Sequence, residues 1–165
     1  MKILVAVEDK VFGEAIADFI ASHDWEEGIN IKILHVLEPI HVPAFHGYPT
    51  ELMASLNEER ARAAKSLTMT VGTMIQQKLP SAHIEEIIEE GSPKNRIVQL
   101  AEDWPADLII VGSHGRTGIG RFLLGSVSLS VLSAAPCSIV IVKQHKHIDQ
   151  KTEAETNEQR SLQNV

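Results

Sequence analysis

Only one cysteine, Cys137, occurs in the 165 residues. An internal disulfide is therefore excluded, and a reducing compartment is the expected setting. Sitting beside an apolar run, this thiol reads as a structural residue rather than a nucleophile. Aromatic residues are few, 4% of the chain, against 44% hydrophobic residues overall, an ordinary balance for a globular α/β protein. Basic residues are in the minority, and the formal charge of −7 with no basic cluster argues against a nucleic-acid partner. No apolar run approaches the roughly 20 residues a membrane helix needs. Met1-Lys2 leads straight into an apolar strand pattern, without the apolar core and small-residue cleavage site of a signal peptide. These absences predict a cytoplasmic protein without membrane or nucleic-acid contacts. Its length fits one domain that buries about 70% of its unfolded surface.

What is present centres on Asp107 to Ser128, DLIIVGSHGRTGIGRFLLGSVS. Leu108 to Val111 is a short apolar run typical of a strand buried on both faces. At Gly112 the composition turns to glycine and small polar residues, and it closes on Gly125-Ser126 before a helical segment. Strand, glycine loop and helix N-terminus in that order make an anion site. Glycine lets backbone N–H groups approach a phosphate, and the helix end adds unpaired donors with partial positive charge. The spacing G-x2-G-x9-G-S, carried by Gly112, Gly115, Gly125 and Ser126, is neither common nucleotide loop. A P-loop would end in Gly-Lys-Ser/Thr, and a dinucleotide fingerprint would follow the first strand; here Gly118 and Gly120 are followed by Leu123. Loops are commonly glycine-rich, so a merely tight connection is the plain alternative.

Elsewhere the pattern alternates. Residues 2–7 read as a buried strand. Phe12, Ala15, Ile16, Phe19 and Ile20 give one face of a helix. Ile29 to Leu37 reads as a strand, with His35 a satisfied interior or edge histidine. Glu38 to Thr50 carries Pro39, Pro43, Gly47 and Pro49 and no period, so it reads as a loop over a ligand. Its His41 and His46, with His35 upstream, match no zinc spacing. Glu51 to Lys78 reads as one helix carrying Ala64, Leu67, Val71, Met74 and Ile75, weakened at Gly72. His83 to Glu90 is ambiguous and favours a short acidic edge strand. Ser92-Pro93 reads as a helix start with Ser92 as N-cap, and Ile97, Leu100, Ala101 and Trp104 form its stripe. A helix from Ser126 to Ala134 with Val127, Val131 and Ala134 on one face precedes a last strand, Ser138 to Val142. From residue 144 to 165 the chain is polar and reads as a disordered tail outside the 1–143 domain.

Five strands alternating with four helices predict a doubly wound α/β fold, because right-handed crossovers force a parallel sheet covered on both faces. Ligands of such sheets bind beyond the strand carboxyl ends where strand order reverses. If strands one and four are neighbours, the residues after Val7 and after Val111 face one crevice.

Taken with Lys2-Ile-Leu-Val-Ala-Val at the start and APCSIVIVK after the loop, the motif resembles the ATP-binding branch of the universal stress protein family. The resemblance covers residues 1–143. It implies strand order 3-2-1-4-5 and homodimers joined through the last strand, Ser138 to Val142. That strand's hydrophobicity gives a separate reason to expect pairing. By position, Gly112, Ser113, His114, Gly115 and Arg116 would wrap the phosphates, and Gly125, Ser126, Val127 and Ser128 would complete the cradle. Val36 would meet the adenine, with Ala6, Val7 and Val111 beside it. Where the family places an aspartate near the ribose, this chain has Glu8, followed by Asp9 and Lys10. Lys10 and Arg116 can bring positive charge to the phosphates, and Mg2+ or Mn2+ would accompany them. His114 could in principle take a proton from water, but no phosphoryl-transfer motif accompanies it, so it reads as a phosphate-contacting or packing residue. The function so implied is an ATP-dependent stress sensor in which nucleotide orders loops and changes the surface offered to a protein partner. A slow ATPase or autophosphorylating phosphotransferase, and an interaction module without nucleotide, stay open beside it.

Overall fold

The computed structural model describes residues 1–40, 50–113 and 124–144. The elements run β1 (Lys2–Ala6), α1 (Lys10–Ala21), β2 (Asn30–Leu37), α2 (Thr50–Lys78), β3 (His83–Glu90), α3 (Pro93–Asp103), β4 (Leu108–Gly112), α4 (Ser126–Ala134) and β5 (Ser138–Val142). The strands form one parallel sheet in the order β3-β2-β1-β4-β5, as expected. In the centre, Ala6 is in register with Leu34 on one side and Val111 on the other. The His41 and His46 readings and the tail from residue 145 lie outside the described residues.

Alternation along each strand sorts side chains to two cores. Ile3, Val5, Ile31, Ile33 and Ile110 meet α1 and α2 through Ile16, Ile20, Val71 and Ile75. Leu4, Leu34, Ile109 and Val111 meet α3 and α4 through Ile97, Ala101 and Val131. Each wholly buried aliphatic side chain contributes about 1.5–3 kcal/mol, so the three central strands anchor both layers. β3 lies at one edge, where Glu85, Glu86, Glu89 and Glu90 discourage further strand pairing.

Several local expectations change. α2 runs unbroken for 29 residues through Gly72. A Cβ there would sit 2.9 Å from Glu86 Oε1, the movable end of a long side chain, and at ordinary contact distance, 3.5 Å, from Ile33 and Ile84. Ser92 occupies the N-cap of α3 but its hydroxyl makes no capping bond; its carbonyl accepts from Asn95 and Arg96 instead. Ala134 is exposed, and Ala135 packs against the core in its place, because α4 ends there and the chain turns toward β5. Thr68, absent from the sequence reading, is fully buried in α2 with its hydroxyl donating to the Lys65 carbonyl.

The corner from β1 into α1 is fixed by Asp9. Its backbone is extended, and its carboxylate accepts from the Phe12 N–H at 2.9 Å, the standard N-cap arrangement. Asp9→Ala should therefore lower stability by about 1 kcal/mol, read as a fall in the urea midpoint at unchanged slope. Gly13 faces α2, where a Cβ would fall 2.4 Å from Val71 Cγ2. Helix propensity alone says Gly13→Ala stabilises by about 1 kcal/mol. The close approach reverses the sign, and a net loss of about 1–3 kcal/mol is expected from overpacking. Urea unfolding of Gly13→Ala and of Gly13→Ala with Val71→Ala checks this: the double variant should lose less than the separate losses added together.

Candidate functional site

At the carboxyl ends of β1, β2 and β4 the sheet opens into a cavity of about 510 Å³. It lies at the position where the chain leaves β1 for β2 on one side and finds β4 on the other. Ala6, Val7 and Glu8 come from the β1 corner, and Val111 and Gly112 from β4. Gly125, Ser126, Val127 and Ser128 come from the start of α4, and Val36 from β2. Every described residue of the expected site except Ser113 lines this one cavity, and Ser113 is the buried residue following Gly112. His114, Gly115 and Arg116 lie outside the described residues. Lys10 is not in the lining; it sits on α1 with its ammonium 3.5 Å from Glu14.

Hydrogen bonds fix the end of β4 against both β5 and the start of α4. The Ser113 N–H donates to the Val142 carbonyl at 2.8 Å and the Gly125 N–H to the Ser113 carbonyl at 2.8 Å. The Ser128 hydroxyl donates to the Gly112 carbonyl at 2.6 Å. The Leu129 N–H donates to the Gly125 carbonyl at 3.0 Å and begins the helix ladder. Two of the amides assigned to a phosphate cradle, and one of its hydroxyls, therefore hold the protein to itself. The N–H groups of Ser126, Val127 and Ser128 remain as first-turn donors without partners inside the helix, at its positive end. No acidic residue occupies that first turn.

Gly112 has a reason of its own. A Cβ there would meet the Phe12 ring at 2.8 Å, so α1 can lie against the end of β4 only if this residue has no side chain. The sequence motif thus combines an open helix end with a packing requirement.

The other side of the cavity comes from residues without a local motif. Ala63, Ala64 and Leu67 of α2, Phe12 of α1, and Pro93 and Ile97 of α3 supply apolar wall. Arg60 reaches from α2 to donate to the Glu38 carbonyl at 2.6 Å, bridging α2 to the end of β2. Glu8, Glu38 and Arg60 are the ordinary charged groups among the described lining residues. His35 is 8% exposed, and its Nδ1 is 2.9 Å from the Val7 carbonyl, a satisfied interior histidine at that nitrogen. The repeated small residues Ala63-Ala64 were the available sequence signal for the α2 wall; Arg60 in a run of charges gave none.

A shallower hollow of about 420 Å³ runs along the outward face of α2 between Arg62 and Thr73. One helix alone forms its described lining, with no convergence of elements, and it lacks the character of a ligand site. Cys137 is half-buried, and burial first and the Asp107 carboxylate second push its thiol above the ordinary cysteine range. A raised thiol pKa means less thiolate and an inert sulfur.

The geometry offers donors and positive potential at one end and apolar walls with scattered acceptors at the other. This suits an elongated ligand with an anionic end and a flat apolar end. The model of the universal stress protein family matches residues 1–143. A universal stress protein of Methanocaldococcus jannaschii is 36% identical over 118 residues, 68% of this chain and 66% of the relative, just under two thirds of its length. The solved structure of the universal stress protein UspA from Lactobacillus plantarum is similar with a TM-score of 0.59 at 27% identity, covering 86% of this chain and 97% of that one. A universal stress protein from Archaeoglobus fulgidus, solved in complex with dAMP, has a TM-score of 0.57 at 23% identity, covering 87% and 98%. At that identity it speaks to the fold alone. Motif, strand order and family match agree: the chain belongs to the universal stress protein family.

Proposed function

We propose that this chain is an adenine-nucleotide-binding stress-response regulator, with ATP as its ligand in the crevice between β1, β2, β4 and α4. The observation that carries the reading is the cavity itself, which joins the first turn of α4 to Val36 and Ile97 across the strand-order reversal. Phosphates belong at Ser126, Val127 and Ser128, where backbone donors and the helix dipole favour anions. The base belongs on the apolar side at Val36, and the sugar between them near Glu8. The dAMP complex of the fold neighbour from Archaeoglobus fulgidus is in keeping with an adenine mononucleotide on this architecture. Among the described residues no group of three or more His, Cys, Asp or Glu side chains is placed to hold a metal ion. Mg2+ or Mn2+ therefore enters this reading as a companion of the phosphates, held by them and by water.

The protein acts, on this reading, as a regulator in the cytoplasm. Nucleotide biases the loop that joins β4 to α4 and so changes the surface offered to a protein partner, which requires differential affinity of ATP for two states. Two copies associate through β5, whose Ile139, Val140 and Ile141 are half-buried and whose only ladder partner among the described strands is β4. No helix among the described residues is long and apolar enough to cross a membrane.

Isothermal titration with ATP, with and without Mg2+, tests the reading, and micromolar affinity is expected. Ser126→Asp places a carboxylate at an exposed first-turn position, where it suits the helix dipole and leaves the fold intact. The same carboxylate repels phosphate, so affinity should fall at least about tenfold while the unliganded melting temperature holds or rises. Wild-type protein that binds no ATP, or a variant that binds it equally well, overturns the assignment. Labelled ATP in the same titration reports turnover and so separates a binder from a slow ATPase. Sedimentation equilibrium at micromolar concentration should return twice the chain mass, and a monomer there removes the β5 pairing.

A further inference from the structure

Buried polar side chains need partners. Among those described, Thr68 and Ser128 donate their hydroxyls to the Lys65 and Gly112 carbonyls. His35 is more than nine-tenths buried yet uses one of its two ring nitrogens. A carbonyl oxygen only accepts, so the contact of Nδ1 with the Val7 carbonyl places the hydrogen on Nδ1. In the tautomer that carries its one hydrogen on Nδ1, Nε2 is a lone-pair acceptor. Among the described residues nothing donates to it. His35 is among the residues that line the crevice.

The position of the ring narrows what can supply that donor. Strand alternation puts His35 on the face of Ile31 and Ile33, toward α1 and α2, whereas Leu34 and Val36 face α3 and α4. A base lying on Val36 is therefore on the opposite face from the imidazole. Phosphate oxygens ionised at neutral pH have no proton to give. The carbonyl that Nδ1 grips belongs to Val7, the neighbour of Glu8, and His35 and Glu8 both line the crevice at the ends of β2 and β1. What remains of a nucleotide to meet that wall with O–H donors is its sugar.

We infer that His35 Nε2 accepts a hydrogen bond from a sugar hydroxyl of the bound nucleotide, making His35 a specificity-determining residue for ribonucleotides. The inference rests on the nucleotide reading above. It assigns His35 two tasks on its two nitrogens: Nδ1 fixes the β1 corner, and Nε2 reads the ligand.

The test compares ATP with 2′-deoxy-ATP and 3′-deoxy-ATP by titration calorimetry on three proteins. Wild type should bind at least one deoxy analogue about five- to tenfold more weakly than ATP, the worth of one hydrogen bond. His35→Asn keeps an amide N–H in the place of Nδ1 for the Val7 carbonyl and removes the Nε2 acceptor; it should bind ATP and that analogue alike. His35→Gln retains an acceptor near the Nε2 place and should keep part of the preference. Where His35→Asn fails to fold, nitrogen NMR of labelled histidine in the wild-type protein gives the answer. The Nε2 resonance should move with ATP and move less with the discriminated analogue. A wild-type protein indifferent to both deletions, as when a water alone satisfies Nε2, overturns the inference. So does a preference that survives in His35→Asn, or an Nε2 resonance that ATP leaves in place. In each of these cases ATP still binds, so nucleotide binding stands; failure of ATP itself to bind is the separate result that removes the reading beneath it.

Discussion

Ala6 is hydrogen-bonded into the sheet between Leu34 and Val111, and that three-strand register is the constraint on which the site depends. Because β1 has neighbours reached by crossovers on opposite faces, the segments leaving β1 and β4 diverge, and a crevice opens between them. Glu8, Val36 and Gly112 are far apart in the chain but meet within about one residue of the same sheet edge. A different strand order would leave the same residues intact and scatter them.

The β4–α4 junction shows how little of such a site is free to act. The Ser113 and Gly125 amides and the Ser128 hydroxyl all bond to the protein's own carbonyls. The first ties the end of β4 to β5, the other two hold the first turn of α4 over the end of β4, and the donors left over are those that a helix end always leaves. Neighbouring groups thus divide: some fix the helix, and others remain as first-turn donors without partners inside it. The glycines divide similarly. Gly112 makes room for Phe12 and Gly13 for Val71, so each reports a close approach between elements.

His35 follows the same division inside one side chain. Its ring links β2 to the β1 corner through Nδ1, and the residue is also part of the crevice lining. Arg60 does something comparable from α2, where its guanidinium bridges to the β2 end through the Glu38 carbonyl while lining the cavity. Neither residue belongs to a local motif, since each owes its place to packing between distant segments.

The sequence alone determined the element order, the parallel sheet and the acidic edge strand, because these follow from local apolar period and from glycine and proline chemistry. The strand order and the 1–143 extent came from the loop motif through resemblance. Only tertiary structure decided that Asp9 caps α1 while Glu8 faces the crevice, for the two adjacent acids differ in backbone geometry and not in type. Tertiary structure likewise decided that Gly13 is a close contact with Val71, and that α2 walls the cavity with Arg60, Ala63 and Ala64. The physical reason is the same in each case. Local pattern records which face of an element is apolar, whereas the identity of the element across from it is set by crossovers and by the distance to which two backbones can approach.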